Sequence, residues 1–133
     1  MSRIGIKFFQ WGLFDRFPKI KVIVLESGAG WIGASLDRMD ATYQTMLGES
    51  VPLKEKPSFY FARQCWISGD PDETSLPLII EHVGADRFFW ATDYPHFDHP
   101  RNYLEELDRL AGSLDERTRH NLLGDSVAKV YGL

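Results

Sequence analysis

The chain has 133 residues, with 15 basic and 19 acidic side chains and a net charge of −4. That balance gives no basis for a nucleic-acid or membrane partner, and the single cysteine, Cys65, excludes a disulfide framework and a cysteine-built zinc site. No apolar run approaches the roughly 20 residues needed to cross a bilayer, and no signal peptide is visible, so the expected location is the cytoplasm.

An apolar fraction of 44% and an aromatic fraction of 14% suit one globular domain with large buried side chains. Ile4–Phe14 reads as a helix with Ile4, Phe8, Phe9 and Trp11 on one face, ending at Phe17-Pro18. Lys21–Leu25 is a β-branched run and reads as a buried strand. The small-residue turn Glu26-Ser-Gly-Ala-Gly30 follows it. Trp31–Met46 reads as a helix, because Ile32, Leu36, Met39 and Tyr43 recur at three- and four-residue spacing. Gly48–Ser58 is polar, holds two prolines and reads as a loop, with a short helix over Phe59–Arg63. Gln64–Ser68 is a strand candidate closed by Gly69-Asp-Pro71. Asp72–Val83 reads as a helix, with Asp72, Glu73 and Thr74 supplying negative charge and capping at its start. Gly84-Ala-Asp86 is a helix-ending turn.

Residues 87–98, Arg-Phe-Phe-Trp-Ala-Thr-Asp-Tyr-Pro-His-Phe-Asp, carry the most information. Phe88–Ala91 reads as a short buried parallel strand. Pro95 stops its continuation and biases Tyr94 toward an extended or turn conformation. Asp93 is thereby placed at the carboxyl end of a strand, the edge on which α/β proteins build active sites. There a carboxylate can bind metal, act as a base or cap the loop. Helices follow at Tyr103–Ala111, Leu114–Leu123 and Ser126–Tyr131.

Strands alternating with helices imply right-handed crossovers and a parallel sheet. Three strands make a poor complete domain, whereas a whole (β/α)₈ barrel takes about 250 residues. The expected fold class is therefore α/β: the carboxyl-terminal part of a TIM-type barrel, with about three parallel strands and flanking helices.

The runs Phe14-Asp-Arg-Phe-Pro-Lys-Ile-Lys-Val-Ile-Val-Leu-Glu-Ser-Gly-Ala-Gly-Trp31, Leu36-Asp-Arg-Met-Asp40 and Val83-Gly-Ala-Asp-Arg-Phe-Phe-Trp-Ala-Thr-Asp-Tyr-Pro-His96 resemble the amidohydrolase-related proteins, as does the terminal Asn121–Leu133 segment. The branch is that of aminocarboxymuconate-semialdehyde decarboxylase and related aromatic-acid decarboxylases and hydrolases. Residues 1–133 resemble the carboxyl-terminal portion of the family's domain. The resemblance implies a metal-dependent hydrolase or carboxy-lyase acting on a small organic acid, amide or lactone. It implies a barrel holding one divalent metal, often zinc, with Asp93 as a metal-site or catalytic carboxylate. The other ligands of the family come from a first-strand His-x-His or Glu-x-His pair and a mid-barrel histidine. The histidines here are His82, His96, His99 and His120, and none opens such a pair. Family decarboxylases also carry a histidine where this chain has Glu26.

The expected site residues are thus Asp93, Glu26 and His96, with Asp93 as the metal ligand. Each has a plainer reading. Asp93 can cap the turn after its strand. Glu26 can pair with Arg38 or Arg63. His96 can bond a backbone carbonyl. Trp31 reads as core packing, His82 and His120 as solvent-facing, His99 as a loop residue and Cys65 as a buried packing residue. The expected partners are a small-molecule substrate and either a second copy or an amino-terminal half-barrel. The alternative is a non-catalytic fragment that functions only by association.

Overall fold

The computed structural model describes residues 7, 9, 11–45, 48–95 and 101–133. In chain order the elements are α1 (Leu13–Arg16), β1 (Val22–Val24), α2 (Ile32–Tyr43), α3 (Pro57–Gln64), β2 (Cys65–Ser68), α4 (Leu76–Val83), β3 (Phe88–Phe89), α5 (Tyr103–Gly112), α6 (Glu116–His120) and α7 (Ser126–Tyr131). Single 3₁₀ turns occupy Gly48–Ser50 and Ala85–Arg87, and a π-helical turn at Asn121–Asp125 joins α6 to α7. Among the described residues no helix is long and apolar enough to cross a membrane. The chain divides into two compact units: Met1–Val22 with Trp31–Cys65, and Ile23–Gly30 with Trp66–Leu133.

In the first unit the expected amino-terminal helix is interrupted. Gly12 takes a left-handed φ of 62° and caps α1. Its Cβ position would lie 2.6 Å from the Pro52 carbonyl oxygen, so only glycine fits. Trp11, expected on the buried face, is exposed. Ile4 and Phe8 lie outside the described residues. Phe14 is fully buried and stacks on Tyr60 at 5.8 Å.

The Tyr60 hydroxyl is saturated. It donates to Asp15 Oδ2 at 2.7 Å and accepts from the backbone N–H groups of Lys54 and Glu55. Burial, and then the bond to the Asp15 carboxylate, push the Tyr60 phenol above its ordinary pKa. Gln64 donates its amide to the carbonyls of Phe17 and Ile20, and Arg63 donates to the Phe14 carbonyl. Asp40 of α2 accepts from Ser58 N–H at 2.9 Å, so one helix caps the start of the next. Pro57 at the first position of α3 suits that start, where its missing N–H costs nothing.

The sheet has three parallel strands in the order β1-β2-β3, with Ile67 opposite Phe88 and Ser68 opposite Phe89. Every residue of β2 is buried, as a central strand requires. β1 is only half-buried because it is an outer strand, which corrects its reading as a buried one. β3 is two residues long, shorter than Phe88–Ala91. Trp66, Phe89 and Val130 form a buried cluster, with Ile23 and Val127 packed against it.

The Gly-Ala-Asp-Arg segment locks the amino end of β3. Arg87 makes a two-pronged contact with the Asp86 carboxylate at 3.2 and 2.8 Å. Its guanidinium lies 4.8 Å over the Trp66 ring, and Trp66 Nε1 donates to the Asp86 carbonyl at 3.0 Å. Lys129 of α7 reaches the same carboxylate at 3.3 Å. Burial works against ionisation of Asp86, but Arg87 and then Lys129 outweigh it, and the carboxyl sits below its usual range.

Ile67 is fully buried at the middle of the central strand. Ile67→Ala is expected to cost about 2–5 kcal/mol of unfolding free energy, read as a lower urea midpoint at unchanged slope.

Candidate functional site

Glu26 follows β1, the Gly69-Asp70-Pro71 turn follows β2, and Asp93 follows β3. In a parallel sheet these connections leave one edge. Gly69 N–H donates to the Phe89 carbonyl at 2.9 Å, extending the β2–β3 ladder into that edge.

Glu26 and Asp93 share an uncommon backbone state. Their φ angles are 53° and 48°, and they are the non-glycine residues with positive φ among those described. This conformation presses Cβ against the following carbonyl at a cost of about 1 kcal/mol or more. Such outliers concentrate at functional sites, and here both are carboxylates at strand ends. The Tyr94-Pro95 peptide that follows Asp93 is cis.

The turn after β1 is held by a residue the sequence assigned elsewhere. α4 begins at Leu76, so Asp72, Glu73 and Thr74 precede it and cap nothing. Glu73 folds back instead. Its Oε1 accepts from Gly30 N–H at 2.7 Å and Ala29 N–H at 3.0 Å. Its Oε2 accepts from Ala29 N–H at 2.8 Å and Asp70 N–H at 3.0 Å. Gly28 makes this possible: φ is 58°, and a Cβ there would sit 2.9 Å from Oε1. The available signal was the Gly-Ala-Gly turn itself, since successive backbone N–H groups of such a turn form an anion nest.

Asp93 is half-buried, and its approach is fixed by Tyr103 at the start of α5. The Tyr103 hydroxyl donates to the Ala91 carbonyl at 2.7 Å, and its ring lies 6.3 Å from that of Trp90. Burial first, then the negative charge of Asp70, Asp72, Asp93 and Glu73, drives the Tyr103 phenol far above its ordinary pKa.

The expected site residues separate clearly. Glu26 lies two residues beyond the end of β1 and Asp93 four beyond the end of β3, in the connections that leave the strands rather than at their last positions. His96 and His99 lie outside the described residues. Glu26 is exposed. Arg63, its suggested partner, donates to Phe14 and Gln64 and packs over Tyr60. His82 and His120 face solvent, and Cys65 is buried. Among the described residues, no three His, Cys, Asp or Glu side chains are grouped to hold a metal ion. Asp93 can supply one ligand, and a catalytic metal site takes about three.

The amidohydrolase family matches residues 10–133. The chain is 30% identical over 111 residues to a gamma-resorcylate decarboxylase of Polaromonas sp., a match covering 76% of this chain and 32% of that protein. It superimposes with a TM-score of 0.79 on 5-carboxyvanillate decarboxylase LigW from Sphingomonas paucimobilis, at 28% identity over 97% of this chain and 38% of the other. A dihydroxybenzoic acid decarboxylase from Polaromonas sp. JS666, crystallised with manganese and 2-nitroresorcinol, shares the fold at TM-score 0.75 and 24% identity over 96% of this chain and 38% of the other. The chain spans about a third of the length of the curated relatives it matches. Its three parallel strands and flanking helices are the carboxyl-terminal part of a (β/α)₈ barrel.

The unfolded chain's tyrosines ionise near pH 10, whereas the folded Tyr103 phenol holds its proton to higher pH. The resulting stability is complete below about pH 10 and is lost as pH rises above it. Phenolate absorbance should show a late-titrating tyrosine that Tyr103→Phe removes. Urea unfolding at pH 8 and 10.5 should show a smaller alkaline loss in that variant.

Proposed function

Because this chain belongs to the amidohydrolase family, we propose that it forms the carboxyl-terminal part of a metal-dependent carboxy-lyase acting on a small organic acid, with a hydrolase of amides or lactones as the neighbouring chemistry. The observation that carries this reading is Asp93, a carboxylate in left-handed backbone in the connection that leaves the carboxyl end of β3. Decarboxylase relatives in two comparisons favour carbon–carbon cleavage over hydrolysis.

In this reading Asp93 is one ligand of a divalent metal, and the remaining ligands come from residues outside this chain's described set. The metal would supply positive charge that binds and polarises substrate oxygens. Zinc is the ion the family resemblance implies; the manganese of the dihydroxybenzoic acid decarboxylase is the competitor. Glu26 and His96 are the proton-transfer groups. A carboxy-lyase must deliver a proton to carbon as the bond to the carboxylate breaks and carbon dioxide leaves. A hydrolase must take a proton from water. An exposed carboxyl at the position of Glu26 can serve either need, depending on its protonation. The single buried Cys65 suits a reducing cytoplasm.

Association belongs to the same proposal. β1 and β3 are outer strands of the three-stranded sheet, and outer strands present unpaired N–H and C=O groups. An amino-terminal half-barrel, or a second copy, would pair them and complete the ligand set.

Co-expression with an amino-terminal half-barrel from a matching family member should yield a complex that retains stoichiometric zinc or manganese through dialysis and releases carbon dioxide from a hydroxybenzoate-type acid. The lone chain should retain little metal and should scatter light as an oligomer. Asp93→Asn should lower metal occupancy and reduce turnover by more than the about 10- to 100-fold typical of residues one shell further out, with the complex still folded. A lone, monodisperse monomer with cooperative unfolding argues against association. An assembled, metal-loaded complex whose turnover survives Asp93→Asn argues against the role of Asp93.

A further inference from the structure

We infer that Glu73 is a positioning residue for the site: its carboxylate fixes the backbone state of Glu26 and ties the turn after β1 to the turn after β2. This rests on the reading that Glu26 takes part in the chemistry.

Three observations carry it. First, the bonding is complete on both oxygens. Oε1 holds the 29–30 turn, and Oε2 reaches both Ala29 and Asp70. A carboxylate accepting several backbone N–H groups is held far more firmly than a neutral acceptor would be. Second, the space is shaped for it. Cβ atoms built at Gly28 and Gly30 would lie 2.9 and 3.1 Å from Oε1, so the turn closes on the carboxylate with nothing between them. Third, Glu26 is strained and exposed. Its φ is 53°, and Gly28 two residues later is also left-handed. An exposed, non-β-branched residue holds such a state only where neighbouring bonds over-determine it. The bonds at Ala29 and Gly30, three and four residues beyond Glu26, tie this turn to a second element.

A loop staple with no bearing on Glu26 would use the same bonds, so the test must separate the two. Backbone amide exchange and the Glu26 Cα and Cβ chemical shifts are measured on the full chain in its assembled complex, for wild type, Glu73→Ala and Glu73→Gln. In Glu73→Ala the Ala29, Gly30 and Asp70 amides should exchange about 10- to 100-fold faster, the scale of a lost charge-assisted bond. Amides of α5 should be unchanged, and the Glu26 shifts should leave left-handed values. Glu73→Gln keeps one accepting oxygen, so only one of Gly30 and Asp70 should lose protection. That graded pattern also covers the case in which the alanine variant does not fold. In a complex that turns over, kcat should fall with KM unchanged, and the glutamine variant should lie between wild type and alanine.

Unchanged protection of the three amides overturns the clamp. Released amides with unmoved Glu26 shifts overturn the positioning role, as does an unchanged kcat. If the wild-type complex itself has no turnover, the catalytic reading fails, and the amide and shift measurements still decide the clamp.

Discussion

Three backbone N–H groups from two different turns converge on one spot, and the Glu73 carboxylate fills it. Without an acceptor there, Ala29, Gly30 and Asp70 would leave donors facing one another with no partner, each at a cost comparable to a lost hydrogen bond. The turns after β1 and β2 therefore have one consistent arrangement. That constraint sets where each chain leaves the sheet, and hence where Glu26 and the Asp70-Pro71 turn stand. It also explains the late start of α4. Glu73 cannot both close the nest and sit in a first helical turn, so the helix yields and begins at Leu76.

The opposite end of β3 is built by different chemistry. There the Asp86 carboxylate meets Arg87 and Lys129, with the Trp66 ring beneath the guanidinium and its indole N–H on the Asp86 carbonyl. An arginine this buried needs a planar carboxylate partner and a flat apolar bed, and Asp86 and Trp66 provide them. The network joins β2, β3 and α7, so it anchors the terminal helix to the sheet. The described non-glycine residues with positive φ, Glu26 and Asp93, belong to the carboxyl edge instead.

What could be read from the sequence follows from how local the cause was. The β2 strand, the pattern of α2, the bounds of α7 and the carboxylate at the end of β3 come from short runs whose side chains fix their own conformation. The buried Phe14–Tyr60 stack and the Tyr60–Asp15 bond were not legible, because they join residues 45 or more positions apart. Glu73 was misassigned for the same reason. As a charge beside a helix start it satisfies a local rule, and only the fold reveals donors from 43 and 44 residues away. Trp11 failed on one residue: the left-handed Gly12 ends the periodicity that would have buried it.

Asp93 and Glu26 show how this edge divides its labour. Both stand in left-handed backbone, a state that aspartate tolerates and glutamate has little intrinsic reason to adopt. Each is supported by a neighbouring element rather than by its own sequence. Tyr103 of α5 holds the carbonyl of Ala91 two residues before Asp93. Glu73 holds the amide of Ala29 three residues after Glu26. Each of these bonds acts on the backbone near the carboxylate, so the chain there is held by a residue from another element. Orienting a group through its backbone gives a loop-borne site the fixed geometry that binding or proton transfer demands, even where the residue's own propensity opposes the conformation.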